Sequence, residues 1–335
     1  MDVTIIIPTK NGGDRFGEVL EAIRNQKTDY QYEIVVVDSG SSDDTVLFAK
    51  ANNCIVQEIR PEEFGHGKTR NLAASLGTGE YICVLTQDAV PADSHWLDNL
   101  IAAMKAHPHA AGAFGRHLPY ADCNMPDQQL LENLFNNFLT SQEENAGNPA
   151  WRIFKLDGDN KAKFEEDLDF QQFTAFFSDN NSCLRRSVWE KIPYDDVNYA
   201  EDQVWAKTIL RAGYEKLYVD DARVYHSHNY PLSEYGKRYF DDFKAVYRTY
   251  GAVYCNDRKE YWHKVLGDTK YQFGYIRRRS DLSLADKLSW IPYCYKRNKL
   301  RYQAAMDAVA YFSLDKEKQL QMDKEYSQQY TQIRE

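Results

Sequence analysis

Short apolar runs alternate with amphipathic stretches through the first 115 or so residues. Residues 3–8 (VTIIIP), 33–38 (EIVVVD), 54–59 (CIVQEI) and 81–86 (YICVLT) read as strands. The first, second and fourth are β-branched and nearly free of polar alternation, as strands buried on both faces are. Between them, Phe16, Val19, Leu20 and Ile23 fall at helical spacing after the turn Gly12-Gly13, and Asp43-Asp44-Thr45 opens a helix reaching Asn52. Residues 68–76 and 96–106 are also helical, the first closed by Gly77 and Gly79, and 111–114 is a short strand. Strands alternating with helices at this spacing predict an α/β domain: a mostly parallel, Rossmann-like sheet with helices on both faces.

Periodicity weakens over residues 119–179, which are rich in Asn, Gln, Phe and Asp; irregular segments of this kind often carry substrate contacts. A helix over 201–212, ended by Gly213, and strands over 216–219 and 223–225 follow. From Glu234 onward helical signals dominate. The expected division is a catalytic domain, 1–230, and a helical C-terminal region, 231–335, serving a membrane or subunit contact.

With 43% hydrophobic and 14% aromatic residues, the 335-residue chain is globular. No run approaches the roughly 20 apolar residues of a membrane span. The first strand starts at residue 3, which predicts no signal peptide. Six scattered cysteines with no CxxC or zinc spacing read as reduced thiols of a cytoplasmic protein. A net charge of −9 argues against nucleic-acid binding. Yet residues 270–302 carry nine Lys/Arg against Asp281 and Asp286, next to Trp290, Tyr293 and Tyr295. Cations beside aromatics suit peripheral contact with anionic lipid headgroups; the alternatives are a solvated basic helix or an oligomer contact.

Candidate chemistry gathers at the ends of the expected strands. Asp38 ends the second, Gln87-Asp88 follows the fourth, Glu201-Asp202 opens a helix, and His226-Ser227-His228 follows the last. Ligands of open α/β sheets bind beyond the carboxyl ends of the strands, so these side chains are expected at one cleft. No GxGxxG follows the first strand and no GxxxxGK[ST] occurs anywhere, which disfavours dinucleotide dehydrogenases and P-loop NTPases. Asp38 could accept hydrogen bonds from a nucleobase and a ribose, or simply form the turn before Ser39-Gly40. The two histidines are read as facing opposite sides of an extended segment, so only one is expected to reach the cleft, with His226 favoured. The glycines beside His66 permit close backbone approach there.

The strings IIIPTKNGG (5–13), VVVDSGSSDDT (35–45), FGHGKTRN (64–71), LTQDAVP (85–91) and HSHNY (226–230), with Glu201-Asp202 between the last two, occur in an order that resembles family 2 glycosyltransferases of the GT-A fold. The longer strings resemble a narrower group, bacterial rhamnosyltransferases of cell-surface polysaccharides. The resemblance covers roughly residues 3–230 and implies an inverting enzyme moving L-rhamnose from dTDP-L-rhamnose to a lipid-linked acceptor, peripheral at the inner face of the membrane. By it, Pro8, Thr9 and Asp38 line the nucleoside pocket, and His66, Arg70 and Gln87 lie at the donor. Asp88 holds Mg²⁺ or Mn²⁺ together with His226 or His228. Thr86 stands where the family's first metal-binding acid is usual, so only one carboxylate remains in that motif. Asp202 is the expected base and Glu201 its support, the helix dipole favouring the ionised carboxylate. The alternatives are a UDP-sugar hexosyltransferase of the same fold and a catalytically silent nucleotide-sugar or glycan-binding module.

Overall fold

The computed structural model describes residues 1–141, 147–197 and 199–332. They form two compact units, Met1–Ala121 with Leu131–Ser227, and Asp122–Leu130 with His228–Glu335.

The first unit is built on one sheet: β1 (Val3–Thr9), β2 (Tyr32–Asp38), β3 (Ile55–Glu58), β4 (Tyr81–Leu85), β5 (Val90–Pro91), β6 (Ala110–Leu118), β7 (Trp151–Phe154), β8 (Asn181–Arg185) and β9 (Glu215–Tyr225). Its order is β3-β2-β1-β4-β8-β6-β9-β5, with β7 also on β9. The strands β3, β2, β1 and β4 are parallel to one another, β8 runs against β4 and β6, and β6 is parallel to β9. This is the expected α/β class.

Alternate side chains of each strand feed the two faces. Ile5, Ile7 and Val36 pack with Phe16, Leu20, Trp96 and Leu100 on one side. Ile6, Val35 and Val84 pack with Ala73, Phe135, Trp205 and Ile209 on the other. Both faces are covered, which is why these strands show no polar alternation.

Residues 119–179 are more regular than their sequence suggests. They contain helices Met125–Leu139, Gly158–Glu166 and Leu168–Ala175, and β7. Their order comes from aromatic packing at long range: Phe138 is edge-on to Phe114 at 5.2 Å and stacked on Phe173 at 4.9 Å. Lys216, fully buried on β9, donates from Nζ to the Phe176 carbonyl and lies over the rings of Phe114 and Phe154. None of these contacts is local, so none leaves a periodic trace.

The second unit is helical: Leu232–Tyr250, Arg258–Arg278, Leu284–Tyr311, Lys316–Tyr326 and Gln328–Gln332 follow in order. Phe240, Tyr261, Val265, Tyr302 and Ala305 form its core. No helix among the described residues is long and apolar enough to cross a membrane. Three of the nine cations of residues 270–302 are engaged by acids. Arg297 is buried in an ion pair with Asp127, Arg279 pairs with Asp281 at 2.8 Å, and Arg301 lies 3.6 Å from Asp268. Cys294 is buried, while Trp290 and Tyr293 pack edge to face. All six cysteines are free.

Candidate active site

Parallel pairing sets Thr9 opposite Asp38 at the carboxyl ends of β1 and β2. The Thr9 hydroxyl donates to Asp38 Oδ2 at 2.8 Å. Asp38 Oδ1 accepts from the Gly40 and Ser41 amides at 3.0 and 2.8 Å, and Oδ2 also accepts from the Ser41 hydroxyl. Both oxygens of this buried carboxylate are thus saturated by Thr9 and by its own loop. Asp38 shapes the loop, and a nucleoside contact through its side chain would have to displace one of these donors. The following residues tie this loop to the one after β1. Asn11 Oδ1 accepts from the Ser42 amide, and Asp43 accepts from the Gly13 amide and from the Thr45 amide and hydroxyl. Pro8 is half-buried beside Thr9. Gln87 clasps the same loop from β4: its Oε1 accepts from the Lys10 amide at 2.8 Å and its Nε2 donates to the Lys10 carbonyl at 3.0 Å.

A cluster of three acids lies at the start of helix Glu201–Arg211. Ala200, just before it, sits in the left-handed region at φ 62°, a conformation that costs a non-glycine residue roughly 1–2 kcal/mol and so fixes how the first turn is presented. Glu201 is buried in an ion pair with Arg70, itself buried. Arg70 Nε is 3.5 Å from Asp179 Oδ2, and its Nη1 donates to the His66 carbonyl. Asp179 Oδ1 accepts from the hydroxyls of Ser182 and Tyr194 at 2.7 and 2.9 Å. Asp202, half-buried, accepts from the amide of Asp179 at 3.2 Å and from that of Gln203 at 2.7 Å.

The electrostatics of the cluster differ from the sequence expectation. Burial, reinforced by Glu201 and Asp179, raises the Asp202 carboxyl well above the usual carboxylate range, with Arg70 opposing. Burial likewise pushes Asp179 up to about 6 against the pull of Arg70. A carboxylate moved toward neutral pH is a stronger proton acceptor, as a general base requires. Two carboxylates claim the Arg70 guanidinium.

Asp88 and His226 meet beyond β4 and β9. His226 Nε2 lies 3.6 Å from Asp88 Oδ1, and Asn180 Nδ2 is 3.5 Å from His226 Nδ1. The His117 ring is edge-on to His226 at 5.3 Å. Tyr120 donates to the Asp88 carbonyl at 2.9 Å and lies under the Arg15 guanidinium, 4.0 Å away. The Thr86 hydroxyl, in the position of the family's usual first acid, is buried without a hydrogen-bond partner. The carboxylate and imidazole, so close together, are of the donor types that would suit a divalent cation.

His228 opens the second unit, stacked on Tyr230 at 5.1 Å. Its expected divergence from His226 is corrected by geometry: side chains two apart on an extended segment share a face. His66 begins helix His66–Leu76, with its ring edge-on to Phe64 and Tyr199. The glycine after it serves packing of the chain itself, because a Cβ on Gly67 would come within 2.2 Å of the Asp195 carbonyl oxygen.

Three members of the site were not singled out from the sequence. Asp179 and Tyr194 hold the acid cluster, and Tyr120 supports Asp88. Asp179 had one signal, an acid directly preceding the run Asn180-Asn181-Ser182, but that run does not read as a strand. Tyr194 and Tyr120 carry no pattern that separates them from the chain's other 22 tyrosines.

Two loops stitched at the ends of parallel strands, an acid pair opening a helix, and a carboxylate–imidazole pair are set on a sheet of the GT-A type. Residues 4–191 match the family described as Glycosyl transferase family 2. The chain belongs to that family and is a glycosyltransferase. O-antigen chain rhamnosyltransferase RfbN of Salmonella typhimurium is 37% identical over 245 residues, covering 72% of this chain and 71% of that protein. Among solved structures, Staphylococcus aureus TarS 1–349 in complex with UDP-GlcNAc aligns with a TM-score of 0.51 at 17% identity, over 97% of this chain and 79% of that one. Glucosyl-3-phosphoglycerate synthase from Mycobacterium tuberculosis, in complex with Mn²⁺, UDP and glucosyl-3-phosphoglycerate, aligns at 0.50 and 13% identity, over 77% of this chain and 81% of that one. Both likenesses are of fold.

Proposed function

We propose that this glycosyltransferase moves L-rhamnose, with inversion, from dTDP-L-rhamnose to a lipid-linked polysaccharide acceptor at the inner face of the cell membrane. The observation that carries the reading is the placement of Asp202. It is half-buried on the first turn of its helix, held beside Asp179 and the Arg70–Glu201 pair, with its carboxyl raised by burial and by the two neighbouring acids. Asp202 takes the proton of the acceptor hydroxyl as that oxygen bonds to the anomeric carbon. The bond from the same carbon to the diphosphate breaks, and the nucleoside diphosphate departs from the opposite face. Glu201 and Arg70 position the base. Pro8, Thr9, Gln87 and the loop built by Asp38 border the donor, with His66 nearby. Asp88, His226 and His228 hold Mg²⁺ or Mn²⁺, which when bound neutralises charge on the leaving diphosphate.

The rhamnosyl assignment is supported by the likeness to RfbN. A UDP-sugar donor is the second reading, favoured by the UDP-GlcNAc complex of the TarS fold relative. Donor turnover across dTDP-rhamnose, UDP- and GDP-sugars tests both. Turnover of dTDP-rhamnose alone is expected. Turnover of UDP-glucose without dTDP-rhamnose overturns the donor while leaving the reaction class standing.

A further inference from the structure

Residues 177–184 run from the acid cluster into β8, and all of them are buried except Asn180, which is half-exposed. Asp179 and Asn180 are the central residues of a turn closed by the Asn181 amide on the Ser178 carbonyl at 3.1 Å. Both flanks of Asn180 are anchored inside the fold. Asp179 accepts from the Ser182 and Tyr194 hydroxyls, while Asn181 accepts from the Trp96 indole and donates to the Ala222 carbonyl, each at 2.8 Å. Antiparallel pairing sets Asn181 opposite Leu85, so the turn lies at the end of β4 from which Thr86, Gln87 and Asp88 continue. On one side of it the Asp179 amide donates to Asp202 Oδ2 at 3.2 Å. On the other, Asn180 Nδ2 is 3.5 Å from His226 Nδ1, and His226 Nε2 is 3.6 Å from Asp88 Oδ1. Asn180 thus stands between the acid proposed as base and the carboxylate–imidazole pair. One end of its carboxamide is turned to His226 and the other has no partner among the described residues.

We infer that Asn180 binds a hydroxyl of the transferred sugar through the free end of its carboxamide and so helps to select the donor, an inference that rests on the proposed roles of Asp202 and of Asp88 with His226. Displacement with inversion needs the anomeric carbon between the base on one face and the leaving diphosphate on the other. The sugar therefore occupies the space that Asn180 borders. A carboxamide both donates and accepts and does not ionise, so it holds a hydroxyl without altering the charge met by the diphosphate or by the base. Anchors on both sides of the turn fix the side chain before the sugar arrives, which lowers the cost of the contact. A role confined to orienting the His226 ring would act on the diphosphate instead of the sugar, and binding measurements separate the two.

The test is calorimetry on the full chain with Mg²⁺ present, using dTDP and dTDP-rhamnose as separate ligands. Asn180→Ala should raise the Kd for dTDP-rhamnose about five- to tenfold, the scale of one net hydrogen bond, and leave the Kd for dTDP unchanged. Asn180→Ser keeps a polar side chain in the turn but is too short to reach the same hydroxyl, so it should behave alike and serves where the alanine variant folds poorly. Two results overturn the inference. Equal weakening of dTDP and dTDP-rhamnose would mean that Asn180 acts through His226 on the diphosphate. Wild-type affinity for dTDP-rhamnose in the folded variants would mean that it does not touch the sugar. Failure of the donor assignment shows separately, in the wild type. A wild-type chain that binds UDP-glucose and not dTDP-rhamnose overturns the rhamnosyl donor alone, and the same comparison made with UDP and UDP-glucose then decides the role of Asn180.

Discussion

The guanidinium of Arg70 is ion-paired with the carboxylate of Glu201, 131 positions away, and Glu201 directly precedes Asp202. Helix His66–Leu76 thereby grips the first turn of helix Glu201–Arg211. The same guanidinium is the cation that opposes the upward shift of both Asp202 and Asp179. Orientation and protonation of the proposed base therefore depend on one side chain that the sequence had placed at the donor.

Arg70→Met removes the only cation that restrains both shifts within the described cluster and leaves buried carboxylates uncompensated. A loss of about 3–5 kcal/mol in urea unfolding is expected, the scale of breaking a buried pair from one side. Arg70→Lys keeps the charge but loses the fork that spans Glu201 and Asp179. It should fold, retain donor binding, and shift the acid limb of the transfer rate to higher pH. An unshifted limb in Arg70→Lys would mean that Arg70 does not tune the base.

Asp202→Asn keeps the shape of the side chain and removes its ability to accept a proton. Transfer should fall by about 10²-fold or more while nucleotide binding, measured by calorimetry, stays close to wild type. Near-normal turnover would place the base elsewhere, with Glu201 next to be tested. In wild type, transfer should rise with pH through a value above the ordinary carboxylate range, because burial and two neighbouring acids favour the protonated form.

Much of this arrangement is legible in the chain, and the reasons for the exceptions are physical. Strands β1, β2 and β4 are visible because burial on both faces leaves unbroken apolar runs. β8, Asn-Ser-Cys-Leu-Arg, is hidden because its polar members serve specific partners. Asn181 accepts from the Trp96 indole and donates to the Ala222 carbonyl, and Ser182 donates to Asp179. The acid pair Glu201-Asp202 and the residues Asp88 and His226 could be picked out by residue type and place. What sequence could not give is which polar atoms are already satisfied. Asp38 is saturated by Thr9 and Ser41, and Arg70 is held by Glu201 and Asp179, through contacts that join distant segments.

Asp179 carries a stability signature of its own. Its folded pKa of about 6 lies above the ordinary 3.8, so the folded chain holds this proton more tightly than the unfolded one. The stabilisation is fully present below about pH 4 and is lost as pH rises through about 6. Asp179→Asn still offers an oxygen to Ser182 and Tyr194 but no longer titrates. Urea midpoints between about pH 4.5 and 7 should fall less steeply with pH in the variant than in wild type. Parallel slopes would show that Asp179 is ionised throughout.

Asp88 and His226 give the remaining prediction. With Thr86 in place of an acid, Asp88 is the one carboxylate of its motif, so a bound cation depends on it more heavily than where two acids share the load. Chelation with EDTA should abolish transfer, and Mg²⁺ or Mn²⁺ should restore it. Mn²⁺ should be retained better, because imidazole binds it more readily than it binds Mg²⁺. Asp88→Ala should weaken binding of nucleoside diphosphate in the presence of the cation and have little effect in its absence. That difference, read by calorimetry, separates loss of a metal ligand from loss of fold. Thr86→Asp supplies a second carboxylate at the position of the unsatisfied hydroxyl and should tighten Mn²⁺ binding. Full activity in chelator would remove the cation from the mechanism, and the charge on the leaving diphosphate would then have to be met by side chains such as His226 and Arg15.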